Sequence, residues 1–203
     1  MTGTIPTELA QLSALEYLLL SENLFSQTIP TELGRLRNLI WLYLHLNSEI
    51  TGTIPTELGM LTAMEQLFLR QNALGGAIPS QFGKLTSMQR LNMRNNQLTS
   101  SIPAELTQMA NVTWLILSGN LLTGHIPADI GELSVLEELW LQDNQLTGAL
   151  PASLSGLGSN DTLIVFNISG NPLLTGEIPE ELCAVSGLNF DCTESICGCD
   201  CAC

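Results

Sequence analysis

No cysteine occurs before residue 183 of this 203-residue chain, and only 6 lysines and arginines stand against 20 aspartates and glutamates. Without thiols in its body the chain has no disulfide framework there, and no Cys/His set at metal-ligand spacing. A formal net charge of −14 excludes nucleic acid and anionic membrane as principal partners. No apolar run approaches the ~20 residues needed to span a bilayer. Aromatics make up only 5% of the residues, so where they stand carries information. The two histidines, His45 and His125, are far apart with no Cys or Asp in triad or ligand spacing. No phosphate-binding glycine loop is present. No catalytic residue, metal site or cofactor is therefore assigned, and an enzyme is not expected.

What the chain does have is rhythm. Eight Ile-Pro or Leu-Pro steps place prolines at 6, 30, 55, 79, 103, 127, 151 and 179; only Pro172 lies outside the series. Six of the seven intervals are 24 or 25 residues and the last is 28. A fixed period of this length means stacked supersecondary units, none able to bury its apolar face without a neighbour. Aligned on the prolines, the units share L-x-x-L-x-x-L-x-L-x-x-N, as in Leu61, Met64, Leu67, Leu69 and Asn72. The asparagine recurs at 23, 47, 72, 96, 120, 144 and 171.

This pattern, with the extension seen in Leu122-Thr-Gly-His-Ile-Pro127, resembles the plant-type 24-residue leucine-rich repeat. That subclass occurs in receptor-kinase ectodomains, receptor-like proteins and polygalacturonase inhibitors. The resemblance covers residues 1–182 and implies an α/β repeat: a right-handed solenoid of about seven turns. Its concave side is expected to be a parallel β-sheet, and its convex side mostly loop and 3-10 helix.

Each motif position has a physical task. Alternation at Leu67 and Leu69 is strand periodicity, placing both inward and Phe68 outward. The repeated Asn is read as structural, its amide satisfying backbone groups left open at the turn. Gly before the Ile-Pro step (Gly52, Gly124, Gly148, Gly176) suits a bend, and Gln27 and Ser100 break that pattern, so strain or a change of path is expected there. Glu8, Glu32, Glu57, Glu105 and Glu181 read as a solvated convex stripe. Met1 stands where the motif has Leu, mid-repeat, so an N-terminal cap is expected to be missing.

Residues 183–203 are expected to form a Cys-rich cap. Cys183 and Cys192 bracket a shortened last turn, much as paired cysteines close plant-type repeat domains. Cys197, Cys199, Cys201 and Cys203 look like the cysteine tails of some diatom-type leucine-rich-repeat proteins. An even count confined to a terminus favours disulfides, and an extracellular or cell-surface location, over a soft-metal site. The connectivity stays open. Asn111, Asn160 and Asn167 are formal glycosylation sequons, about as many as composition alone gives.

The strand register defines three outward ranks. All three tryptophans and both tyrosines fall on them, with three of the six basic residues and only one acid, Glu138. Cross-strand packing explains part of the aromatic bias, but not basic residues gathering where acids are absent. Exposed Trp, Tyr and Arg also dominate binding hot spots. The candidate ligand residues are thus Tyr17, Trp41, Tyr43, His45, Phe68, Arg70, Arg90, Asn92, Arg94, Trp114 and Trp140.

The leading expectation is a recognition module binding a protein, peptide or anionic glycan on its concave face, as the resemblance implies. In peptide receptors of this type an Arg-x-Arg pair can hold a ligand carboxylate; Arg90 and Arg94 are four apart, a departure from that pattern. An adhesive or structural role, cross-linked through the cysteine tail, is the alternative. A third is an ice-binding face from the Thr-Gly-Thr steps at Thr2–Thr4 and Thr51–Thr53, whose regularity fails at Gln27, Ala77, Ser100 and Ala149.

Overall fold

The structure, a computed structural model, describes residues 1–158, 162–184 and 189–191. Eight short strands form one parallel sheet in strict chain order. They are Tyr17–Leu19, Trp41–Tyr43, Gln66–Phe68, Arg90–Asn92, Trp114–Ile116, Glu138–Trp140, Val165–Asn167 and Asn189–Asp191. Equivalent residues of successive repeats pair, as in Leu42 with Leu67 and Leu67 with Leu91. The solenoid and its concave parallel sheet are therefore as the repeat pattern implies. The eighth strand, beside Val165–Asn167, carries the sheet into the region expected as the cap.

Alternation does what a two-residue period must. The inward pairs from Leu42 and Leu44 through Phe166 and Ile168 are fully buried or nearly so, while Leu18 is buried and Leu20 half-buried in the first turn. Leucines from the segment before each strand join the same core, as Leu58 and Leu61 do with Leu67. After most layers the Pro opens a convex 3-10 segment, for example Thr31–Arg35, Thr56–Met60 and Ser80–Lys84; after Pro179 the turn is α-helical, Glu180–Cys183. Pro suits that N-cap position, since its fixed φ fits the extended cap and its missing N–H is not needed for any bond within the segment.

A second parallel ladder, which the repeat pattern did not announce, runs along the flank. Thr2–Gly3, Leu24–Gln27, Glu49–Thr53, Ala73–Gly76 and Gln97–Leu98 pair in order. Thr123–Gly124, Gln145–Ala149 and Leu173–Thr175 continue it, joined by a bridge from Ser101 to Thr123. The Gly before each Ile-Pro step has positive φ, and Gln27 and Ser100 take the same conformation at φ 69° and 68°. The outcome at these two positions is strain rather than a change of path.

The asparagines form an internal ladder. The Asn72 side-chain oxygen accepts from Asn47 N–H at 3.0 Å, and its nitrogen donates to Leu44 O at 3.1 Å and Leu69 O at 2.8 Å. Asn96 accepts from Leu74 N–H and donates to Leu69 O and Met93 O. Each amide thus ties two successive turns and fills valences that no regular backbone pairing reaches. The residue before the Asn is left-handed in turn after turn, as at Leu46, Gln71, Asn95 and Asp143.

Candidate ligand-binding face

The expected outward residues share the concave face but divide into three regions. At the N-terminal end rings pack on rings. Tyr17 meets Trp41 edge-on with centroids 4.9 Å apart; Tyr43 lies parallel to Phe68 at 4.6 Å and to Trp41 at 6.0 Å. The Tyr43 hydroxyl donates to Gln66 Oε1. Burial raises the Tyr43 pKa, with Arg90 opposing.

His45 faces outward by register yet is buried, its ring 5.7 Å from Tyr43 and 6.0 Å from Phe68. Burial, then the Arg70 charge, lowers its pKa; Glu22 works weakly the other way. The imidazole is consequently neutral near pH 7.

The middle of the sheet is basic. Arg90 lies over the Trp114 ring at 4.2 Å and Arg94 over the Trp140 ring at 5.8 Å. Both are cation–π geometries. Arg70 donates to Gln71 Oε1. Arg70 and Arg94 occupy the same rank on neighbouring strands, as the Gln66–Arg90 and Phe68–Asn92 pairings require. Together with Gln71, Asn92, Asn95, Ile116 and Trp140 they line a shallow depression of ≈ 380 Å³. Arg90 does not line it. Asn92 Oδ1 accepts from Arg94 N–H at 3.2 Å, shaping the strand end that carries the arginine.

The C-terminal end is polar. Ser118 and Gln142 follow Arg94 along its rank, and both are buried. Trp114 Nε1 donates to Glu137 at 3.3 Å and Trp140 Nε1 to Glu138 at 2.9 Å, fixing both indoles.

Among the described residues, four buried side-chain atoms make no hydrogen bond to the protein: Trp41 Nε1, His45 Nδ1, Ser118 Oγ and Gln142 Oε1. All four belong to the concave face. An unpaired buried polar atom costs ~1–3 kcal/mol, so whatever cost these four carry falls on the concave face. Sequence reasoning did not nominate Ser118, Gln142, Gln71, Asn95 or Ile116, although three of them stand on the outward ranks. Their signal was position rather than residue type.

Cys183 is half-buried against the core. Cys192, Cys197, Cys199, Cys201, Cys203 and Asn160 lie outside the described residues. Among the described residues no cluster of three His, Cys, Asp or Glu side chains has metal-binding geometry. No helix among them is long and apolar enough to cross a membrane.

Comparison with known proteins defines the class. Leucine-rich-repeat models match residues 62–122 and, as single repeats, 14–36, 135–157 and 162–185. The chain belongs to the leucine-rich-repeat family. It is similar to a TDR receptor, with 38% identity and a TM-score of 0.87 over 94% of this chain and 32% of the other. It is also similar to the plant peptide hormone receptor RGFR1, solved in complex with RGF2, with 37% identity and a TM-score of 0.88 over 93% and 30% of the two chains. A plant ice-binding protein matches at 27% identity and a TM-score of 0.73, over 85% of this chain and 62% of its own. The chain thus spans about a third of the length of the two receptor chains. No curated protein is a significant match.

Proposed function

We propose that this chain is a non-catalytic, extracellular recognition module whose concave face binds a protein or peptide through the arginine-lined depression at mid-sheet. The observation that carries the reading is charge segregation. Arg70 and Arg94 are adjacent in one rank and line one depression, in a chain of net charge −14. An anionic group between them would relieve their repulsion through charge-assisted hydrogen bonds. The buried polar side chains of His45, Ser118 and Gln142 continue the same rank on either side and floor the groove rather than project into it. The similarity to a peptide hormone receptor favours a peptide partner.

Selection from a displayed peptide library on the immobilised protein tests this. Arg94→Glu should weaken the selected binders at least about tenfold, mostly through faster dissociation. Lys84→Glu, on an exposed convex segment, should leave them unchanged. Binders that tolerate Arg94→Glu and fail with Lys84→Glu would overturn the reading.

A second reading has one observation in its favour. Thr2, Thr51, Thr99, Thr123, Thr147 and Thr175 occupy the position four before the repeat proline in six of the eight repeats, along the flank ladder. Such a rank of hydroxyls is the feature an ice-binding face would use, and one similar structure is a plant ice-binding protein. The neighbouring rank is broken by Ala77, His125, Ala149 and Glu177. Thermal hysteresis in the full chain that disappears with Thr51→Lys and Thr123→Lys would establish it; absence of hysteresis would remove it.

A further inference from the structure

The proposed concave site admits two kinds of anionic ligand, an acidic sugar and an acidic polypeptide, and the ring geometry separates them. Sugars are held by aromatic faces, which meet their C–H groups. Here Tyr43 and Phe68 are parallel to within 7° with centroids only 4.6 Å apart. Rings that close cannot lie flat side by side on the sheet, so they stand with edges toward the groove. Trp41 is parallel to Tyr43 to within 1° and stands with them. Arg90 covers one face of Trp114 at 4.2 Å, and Arg94 lies over Trp140.

A ring edge carries the positive end of the aromatic quadrupole. It attracts carbonyl and carboxylate oxygens rather than C–H groups. The groove therefore offers positive ring edges and the guanidinium donors of Arg70 and Arg94, a set that favours acceptor-rich chains.

The rank from His45 through Arg70, Arg94 and Ser118 to Gln142 crosses five strands, ~19 Å at about 4.8 Å per step. An extended peptide covers that in about six residues. Near ~0.1 M salt the screening length is about 10 Å, so the acidic stripe on the convex side is screened while the arginines act at contact.

We propose that the ligand of this face is an extended, acidic segment of polypeptide, held by side-chain carboxylates at Arg70 and Arg94, and not a carbohydrate. This rests on the concave-face reading above, and the experiment keeps the two apart. The whole chain is titrated with four fluorescent probes: C-terminally amidated hexaglutamate, amidated hexaglutamine, a six-unit oligogalacturonate and cellohexaose.

The amidated hexaglutamate should bind, with at least about tenfold loss in Arg70→Gln and in Arg94→Gln and none in Lys84→Gln. The other three should bind at least about tenfold more weakly. If the oligogalacturonate binds as well as or better than hexaglutamate, and loses affinity in Arg94→Gln, the concave site stands and the polypeptide assignment falls. Hexaglutamate with a free C-terminus is titrated beside the four probes, and its binding where the amidated form does not bind overturns the side-chain assignment. If neither anion binds, or binding survives both arginine substitutions, the concave reading itself is overturned.

Discussion

At the scale of single residues, neighbouring asparagines do opposite jobs. Asn96 accepts from Leu74 and donates across two turns, whereas Asn92 faces the groove and caps only Arg94 N–H. Asn96→Ala should cost ~1–3 kcal/mol in denaturant unfolding, and Asn92→Ala less than about 0.5 kcal/mol. Equal losses would reject the division into inside and outside positions. Ser100 is strained at φ 68°, so Ser100→Gly should stabilise by up to about 1 kcal/mol in the same assay.

His45 supplies a pH signature. Its folded pKa lies below the unfolded value of about 6.5, so the unfolded state takes up the proton first. Stability is thus unaffected above about pH 6.5 and is lost as pH falls from there toward the folded pKa. His45→Gln should flatten that part of the stability–pH curve. An unchanged slope between pH 7 and 5.5 would show that the imidazole is solvated.

At the scale of elements, the two-residue alternation made the main sheet legible. Leu91 and Met93 could only face in, and Arg90, Asn92 and Arg94 only out. The side-chain period decided this before any packing detail. The burial of Ile116, Ser118 and Gln142 on the outward ranks was not legible, because crowding on a concave surface depends on the size of neighbours one strand away. Nor was the division of labour among the arginines, since Arg90 is engaged by Trp114 and Arg94 lines the depression. The flank ladder escaped notice because a Thr-Gly step reads as a bend, and its pairing partner lies a whole turn away.

Turn stacking on the convex side also depends on a small residue. A Cβ at Gly131 would stand 1.7 Å from Ser153 O, which backbone cannot vacate locally. Gly131→Ala should destabilise by ~1–3 kcal/mol in thermal or chemical unfolding. Stability equal to the parent would show that the two segments are not in contact.

For the molecule as a whole, three surfaces carry three chemistries. The convex stripe is acidic and solvated, the flank is lined with threonine, and the concave sheet gathers rings, arginines and unpaired polar atoms. A recognition role for the concave side joins these facts, because the features that cost stability and solubility coincide there. Hydrogen–deuterium exchange of the whole chain, with and without a library-selected peptide, tests that coincidence most directly. Ligand should slow exchange at the strand ends around Arg70–Asn72 and Arg94–Asn96 and leave the Ser80–Lys84 segment unchanged. Protection confined to the flank ladder or the convex segments, with no change at the arginine-bearing strands, would contradict a concave binding face.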